Sequence, residues 1–215
     1  MIVLMSAFLL LSAFSCGGGN KANSTSEQSE GTAVNVPQFD ADSAYLYVKN
    51  QVDFGPRVPN TKEHVACGNY LAGQLEAFGA QVTNQYADLI AYDGTLLKAR
   101  NIIGSYKPES KKRIALFAHW DTRPWADNDP DEKNHNTPIL GANDGASGVG
   151  ALLEIARLVN QQQPELGIDI ILLDAEDYGA PQFYTGQHKE EFWCLGSQYW
   201  ARNPHVQGYN ARFGI

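Results

Sequence analysis

Two short apolar runs, with a helix-period segment between them, constrain this chain more than any other feature. Ile114-Ala115-Leu116-Phe117-Ala118 and residues 168–173 read as strands, and neither alternates apolar with polar. A strand with one wet face alternates, whereas a strand covered on both faces need not. Between them, Val149, Leu152, Leu153, Ala156 and Val159 recur at the spacing of a helix with one buried stripe. Strand, helix, strand in that order is a βαβ unit. It predicts an α/β fold: a three-layer sandwich with a mixed, mainly parallel central sheet.

The flanking segments fit that layout. Residues 40–54 carry Ala44, Leu46, Tyr47 and Val48 and read as a helix. Asn60-Thr61-Lys62-Glu63 resembles a capping box, followed by Cys67, Leu71, Leu75 and Phe78 on one face and Gly79 as a terminator. Residues 81–91 and 95–106 read as two strands around an Asp93-Gly94 turn. At the far end, Ala211-Arg212-Phe213-Gly214-Ile215 looks like the opening of a further strand.

Residues 1–14 are almost wholly apolar, and the first charge is Lys21. That run is too short to span a bilayer, which takes about 20 apolar residues, and it reads as a signal-peptide core. It ends Leu11-Ser12-Ala13-Phe14-Ser15-Cys16, similar to the lipobox of bacterial lipoproteins, in which the cysteine is acylated; a plain signal peptide with Cys16 incidental is the alternative. Residues 1–16 are therefore expected to be the signal, 17–36 a Gly/Ser-rich tether and 37–215 the folded domain. The protein is expected in the cell envelope of a bacterium, lipid-anchored or periplasmic, touching membrane only through that anchor.

With 16 Lys+Arg against 24 Asp+Glu the net charge is −8, which argues against a nucleic-acid partner. The one basic cluster, Lys111-Lys112-Arg113, reads as a solvated strand entry. The three cysteines are too few for a disulfide framework, although a cell-envelope location permits a bond between Cys67 and Cys194. A monomer is expected.

In open α/β sheets, ligands bind beyond the carboxyl ends of the strands. Here the first such end carries His119-Trp120-Asp121. The crossover helix opens on Gly141-Ala142-Asn143-Asp144-Gly145-Ala146-Ser147-Gly148, and the next strand ends Asp174-Ala175-Glu176-Asp177. Each cluster has a plain reading: Asp144 as a helix cap, His119 as a core histidine, Glu176 and Asp177 as a solvated loop. Their coincidence at neighbouring strand ends points instead to a metal, because carboxylates crowded together repel unless a cation lies between them. Carboxylate and imidazole ligands suit zinc. Adjacent acids at a strand end diverge, so one can bind metal while its neighbour stays free as a base. Asp121 is placed to hold the second nitrogen of His119.

Taken with Ala118-His119-Trp120-Asp121-Thr122-Arg123-Pro124, Asn134-His135-Asn136-Thr137-Pro138-Ile139-Leu140 and Trp193-Cys194-Leu195-Gly196-Ser197-Gln198, these clusters resemble the zinc aminopeptidase-like family. Within it the resemblance is to bacterial glutaminyl-peptide cyclotransferases, over about residues 40–215. It implies Asp144 and Asp177 as zinc ligands and Glu176 as the acid–base. His119 is implied as a ligand only in the two-metal aminopeptidases. An aspartate at 177, where aminopeptidases usually carry glutamate, and the wide gap from His119 to Asp144 favour the one-zinc cyclase.

The implied reaction converts the N-terminal glutamine of a peptide or protein to pyroglutamate with release of ammonia. Tyr178 and Trp193, on the loop after Asp177, are candidate walls of a small substrate pocket. The alternatives are a two-zinc aminopeptidase and a non-catalytic, lipid-anchored binding protein. The family's last zinc ligand is a histidine near its C-terminus. None of His64, His119, His135, His188 and His205 stands in a matching context. The resemblance therefore implies that this sequence is the front portion of a longer protein.

Overall fold

In the computed structural model, which describes residues 35–215, the second apolar run becomes the middle strand of a five-stranded sheet. This strand, β4 (Gly167–Leu173), is buried at every position, as coverage on both faces demands. The others are β1 (Gln81–Ile90), β2 (Leu96–Tyr106), β3 (Arg113–His119) and β5 (Phe213–Gly214), in the order β1-β2-β4-β3-β5. Among the described residues four α-helices accompany them: α1 (Ala41–Asp53), α2 (Lys62–Ala77), α3 (Ala146–Gln161) and α4 (Leu195–Arg202).

The βαβ unit forms as expected. β3 runs parallel to β4, with Ile114 opposite Ile168 and His119 opposite Leu173, and α3 is the crossover. The sheet is mixed but not mainly parallel. β1–β2 and β2–β4 pair antiparallel, while β3–β4 and β3–β5 pair parallel. The cause is the hairpin: a short turn can join only antiparallel strands. Gly94 at φ 84° makes that turn, and Asp93 accepts the Thr95 N–H at 2.9 Å. The segment expected to open a further strand is β5, which places Phe213 beside Ile114.

Alternation along the strands separates two cores. On one face Ile102, Leu116, Ile168, Ile170 and Leu172 pack with Leu71 and Leu75 of α2 and Val149, Leu153 and Ala156 of α3. On the other, Ile103, Ala115, Ile171 and Leu173 meet Trp200 of α4 and Tyr209. The result is a three-layer sandwich. Helix α1 lies on α3 where Gly150 leaves room, since a Cβ there would stand 2.6 Å from Val48 Cγ2.

Two local expectations shift. The cap of α2 is Thr61, which accepts the His64 N–H, and not Asn60 as a capping box would have it. Asn60, at φ 76°, instead bonds to the backbone of Leu96 and Lys98 and ties the entry of α2 to β2. Arg113 is not a solvated residue. It is buried and forked onto Asp169 at 2.6 and 2.7 Å, while Lys111 and Lys112 stay exposed. Asp169 lies inside the run read as apolar, and takes further bonds from the Ser105 and Tyr209 hydroxyls, each at 2.7 Å.

Pro37–Ile215 is one compact unit. The signal, Cys16 and all but the end of the tether lie outside the described residues. Cys67 and Cys194 are both free thiols. Among the described residues no helix is long and apolar enough to cross a membrane.

Candidate metal centre and the adjacent glutamate

The three strand-end clusters meet. One ligand atom each from His119, Asp144 and Asp177 lies within 4.8 Å of the other two. His119 ends β3, and its Nε2 stands 2.9 Å from Asp144 Oδ1. Asp144 is exposed and does not cap α3; the cap position is Gly145, at φ 95° and without a side-chain bond. That glycine brings the turn close to β3, because a Cβ on it would stand 2.7 Å from the Asp121 carbonyl oxygen. Gly141 does the same earlier in the turn, at φ 56°, where a Cβ would stand 2.4 Å from Thr122 Cγ2.

Asp177 carries the strongest sign of a missing partner. Its Oδ2 is buried and, among the described residues, has no hydrogen-bond donor. Burial, and then the charge of Asp121, push its carboxyl up to about 6. Burial acts to lower the His119 imidazole, but the carboxylates of Asp121, Asp177 and Asp144 prevail and raise it to about 9. A buried oxygen without a donor, beside carboxylates crowded enough to keep a proton on the imidazole, is the condition a bound cation relieves.

Asp121 lies beneath the cluster, fully buried. It accepts the N–H of Glu176 at 3.1 Å and of Asp177 at 3.2 Å. Its Oδ1 is 3.4 Å from His119 Nδ1, within ion-pair reach but out of line for a hydrogen bond. Asp121 thus holds the strand end through two amides and faces the imidazole without a hydrogen bond to it.

Glu176 turns away from the cluster. Its two oxygens accept from the Ser197 amide at 2.8 Å and the Ser197 hydroxyl at 2.7 Å. It is about nine-tenths buried, and that burial raises its pKa above the ordinary glutamate value against the pull of the Ser197 bonds. Neighbouring acids therefore part company as the sequence suggests: Asp177 joins the cluster, Glu176 stands beside it.

Comparison with known proteins follows the same lines. The model of Peptidase family M28 matches residues 101–215, more than half of the chain. This chain belongs to that family. A glutaminyl cyclase from Bacteroides thetaiotaomicron, solved with N-acetylhistamine bound, is 94% identical, with a TM-score of 0.84 over 84% of this chain and 62% of its own. A structure named a leucine aminopeptidase precursor, from the same organism, matches with the same identity, score and coverage. A Zn-dependent exopeptidase from Parabacteroides distasonis is 63% identical, with a TM-score of 0.82 over 84% of this chain and 61% of that one. The chain thus spans about three-fifths of the length of each of these relatives.

The M28 chain also uses residues that its sequence did not flag. Arg57 is fully buried and donates to the carbonyls of Trp120, Leu140 and Gly141, at 3.1, 2.7 and 2.8 Å, so it clamps the Asp144 turn to the end of β3. Arg123 bonds to Asp127 and to the carbonyls of Asp177 and Gly179, and lies 4.8 Å over the Trp193 ring. His64 stacks on Trp120 at 4.3 Å and bonds to the buried Asp174. Of the two candidate pocket residues, Tyr178 packs edge-on against Trp125, and Trp193 covers Gly179 so closely that a Cβ there would fall 2.0 Å from the ring.

Proposed function

We propose that this chain carries the zinc site and acid–base group of a glutaminyl-peptide cyclotransferase, which closes N-terminal glutamine to pyroglutamate and releases ammonia. The observation that carries this reading is the convergence of Asp144 and Asp177, with Oδ2 of Asp177 buried and unpaired, beside a separately held Glu176. The glutaminyl cyclase at 94% identity supports the substrate class, and the Parabacteroides exopeptidase named as Zn-dependent supports the metal.

Asp144 and Asp177 would hold one zinc, and the donor set of carboxylates beside an imidazole fits that ion. When bound, zinc supplies Lewis acidity toward the side-chain amide oxygen of the substrate. Glu176 takes a proton from the α-amine, whose reference pKa of about 7.7–8.0 asks little of a base. It then passes that proton to the departing nitrogen, so that ammonia leaves neutral. Attack occurs within one residue, and orientation is the chief remaining requirement. Tyr178 and Trp193 are assigned to the aromatic surround of the pocket. The lipobox-like run ending at Cys16 supports a lipid-anchored protein of the cell envelope.

One observation favours a second reading. His119 Nε2 belongs to the same cluster, and a two-zinc aminopeptidase would use it as a ligand with Asp144 as the bridge. Metal counting and product analysis separate the two: one zinc and ammonia from a Gln-peptide for the cyclase, two zincs and free N-terminal residues for the peptidase. In either, Glu176→Gln should keep the parent's zinc content and lose at least about 100-fold in turnover. Activity within a few-fold of the parent overturns the role of Glu176.

A further inference from the structure

The run Trp193-Cys194-Leu195-Gly196-Ser197-Gln198 closes over the end of β4. Cys194 N–H bonds to the Glu176 carbonyl at 3.0 Å and Leu195 N–H to the Ala175 carbonyl at 3.1 Å. Gly196 then passes so near the strand end that a Cβ on it would lie 2.0 Å from the Asp174 carbonyl oxygen and 2.7 Å from Asn101 Oδ1. Only glycine permits that approach. Ala175 and Cys194 both sit in the left-handed region, at φ 55° and 54°, which residues with a Cβ hold only where their surroundings over-determine them. This close approach sets the first turn of α4 on the carboxylate of Glu176, with the Ser197 amide on Oε1 and its hydroxyl on Oε2.

We propose that Ser197 is the positioning residue for Glu176. Its two donors fix both oxygens of a flexible side chain, the Cys194 thiol also bonds to the carboxylate, and a lone pair remains for the proton that Glu176 moves. The inference rests on the acid–base reading of Glu176. The hydroxyl is not needed to hold the helix. The start of α4 is already fastened by the Cys194 and Leu195 backbone amides, by the Asn101 Nδ2–H bond to the Gly196 carbonyl at 3.0 Å, and by the Gln198 side-chain Nε2–H on the Trp193 carbonyl at 2.9 Å. Removing the hydroxyl therefore takes away one charge-assisted bond to Glu176 and little else.

The test compares the parent, Ser197→Ala and Ser197→Thr as intact, zinc-loaded proteins. It measures cyclisation of a Gln-peptide, zinc content by mass spectrometry and thermal midpoint. Ser197→Ala should lower kcat by about tenfold or more, on the scale of a lost hydrogen bond to a charged group. KM should stay within about twofold and zinc content should match the parent, while the midpoint falls by about 3–12 °C, as one lost bond to a charged group implies. Ser197→Thr restores a hydroxyl and should recover most of the loss. A kcat for Ser197→Ala within about twofold of the parent, a loss that falls mainly on KM, or a threonine variant no better than alanine overturns the proposal while the cyclase reading stands. A parent that turns over no Gln-peptide overturns both.

Discussion

Asp121 accepts both backbone amides of the strand end that carries Glu176 and Asp177, so its replacement should separate what its shape does from what its charge does. Oδ2 lies 3.1 Å from Glu176 N and 3.2 Å from Asp177 N, while Oδ1 faces His119 Nδ1 at 3.4 Å. Asp121→Ala leaves two amides in the interior without an acceptor. Each such group costs about 1–3 kcal/mol, so the variant should lose about 2–6 kcal/mol. For a domain of this size that lowers the thermal midpoint by about 4–24 °C. Asp121→Asn, with its carbonyl oxygen in the place of Oδ2, keeps both amide bonds and should unfold within about 4 °C of the parent. Thermal unfolding of the zinc-free proteins, followed by circular dichroism, measures the gap. Midpoints for Asp121→Ala and Asp121→Asn within about 2 °C of each other would refute the argument.

The asparagine variant also tests the metal count. It removes the charge facing His119 Nδ1 and puts an NH2 donor there, which disfavours a proton on Nδ1 and favours one on Nε2. A protonated Nε2 cannot bind a metal. Parent and Asp121→Asn should therefore hold one zinc each if His119 is not a ligand. If the parent holds two and the variant one, the two-metal reading of His119 is correct.

Two further perturbations follow from the geometry. Burial works against ionising Asp169, but the bonds from Arg113, Ser105 and Tyr209 prevail and hold its pKa below the ordinary value of about 3.9. Because the folded-state pKa is depressed, this stabilisation is complete above the unfolded value and is lost as pH falls through the folded one. Asp169→Asn should cost about 3–5 kcal/mol near pH 7, and its midpoint should approach that of the parent below about pH 4; an equal gap at pH 7 and pH 3 contradicts this. Gly141→Ala places a Cβ 2.4 Å from Thr122 Cγ2 and 2.6 Å from the Asp144 carbonyl oxygen at a positive φ. It should shift the Asp144 turn and weaken zinc binding by at least about tenfold in a chelator competition, and unchanged affinity counts against the clamp described for that turn.

What the sequence made legible is what local pattern encodes. Periodicity marks α2 and α3, the Asp93-Gly94 turn marks the hairpin, and the strand-end rule collects His119, Asp144 and Asp177 without any knowledge of distance. What stayed hidden are partners fixed by packing. Asp169 passes unnoticed inside an apolar run because the residues that neutralise it, Arg113 and Tyr209, come from elsewhere in the chain. Arg57 has no pattern around it, and its acceptors are carbonyls some sixty to eighty residues away, at Trp120, Leu140 and Gly141. Sheet order also escaped. Two antiparallel and two parallel pairings are compatible with the same list of strands, and only the hairpin orientation was fixed locally.

The separation of Glu176 from Asp177 depends on all of these at once. Adjacent side chains of an extended chain point to opposite sides, and past the strand end the turn decides where each one goes. Here the residue before them, Ala175, is held at φ 55° because the turn is bonded from two sides. Asp121 takes the amides of 176 and 177, and the amides of Cys194 and Leu195 take the carbonyls of 176 and 175. A turn fixed by four such bonds can tolerate a left-handed alanine, which costs about 1–2 kcal/mol in isolation. That turn sends one carboxylate to the amide and hydroxyl of Ser197 and the other to His119 and Asp144. The separation of the two carboxylates is therefore a property of the backbone at 174–177, and substitutions that loosen this turn should damage together both of the functions we propose for them.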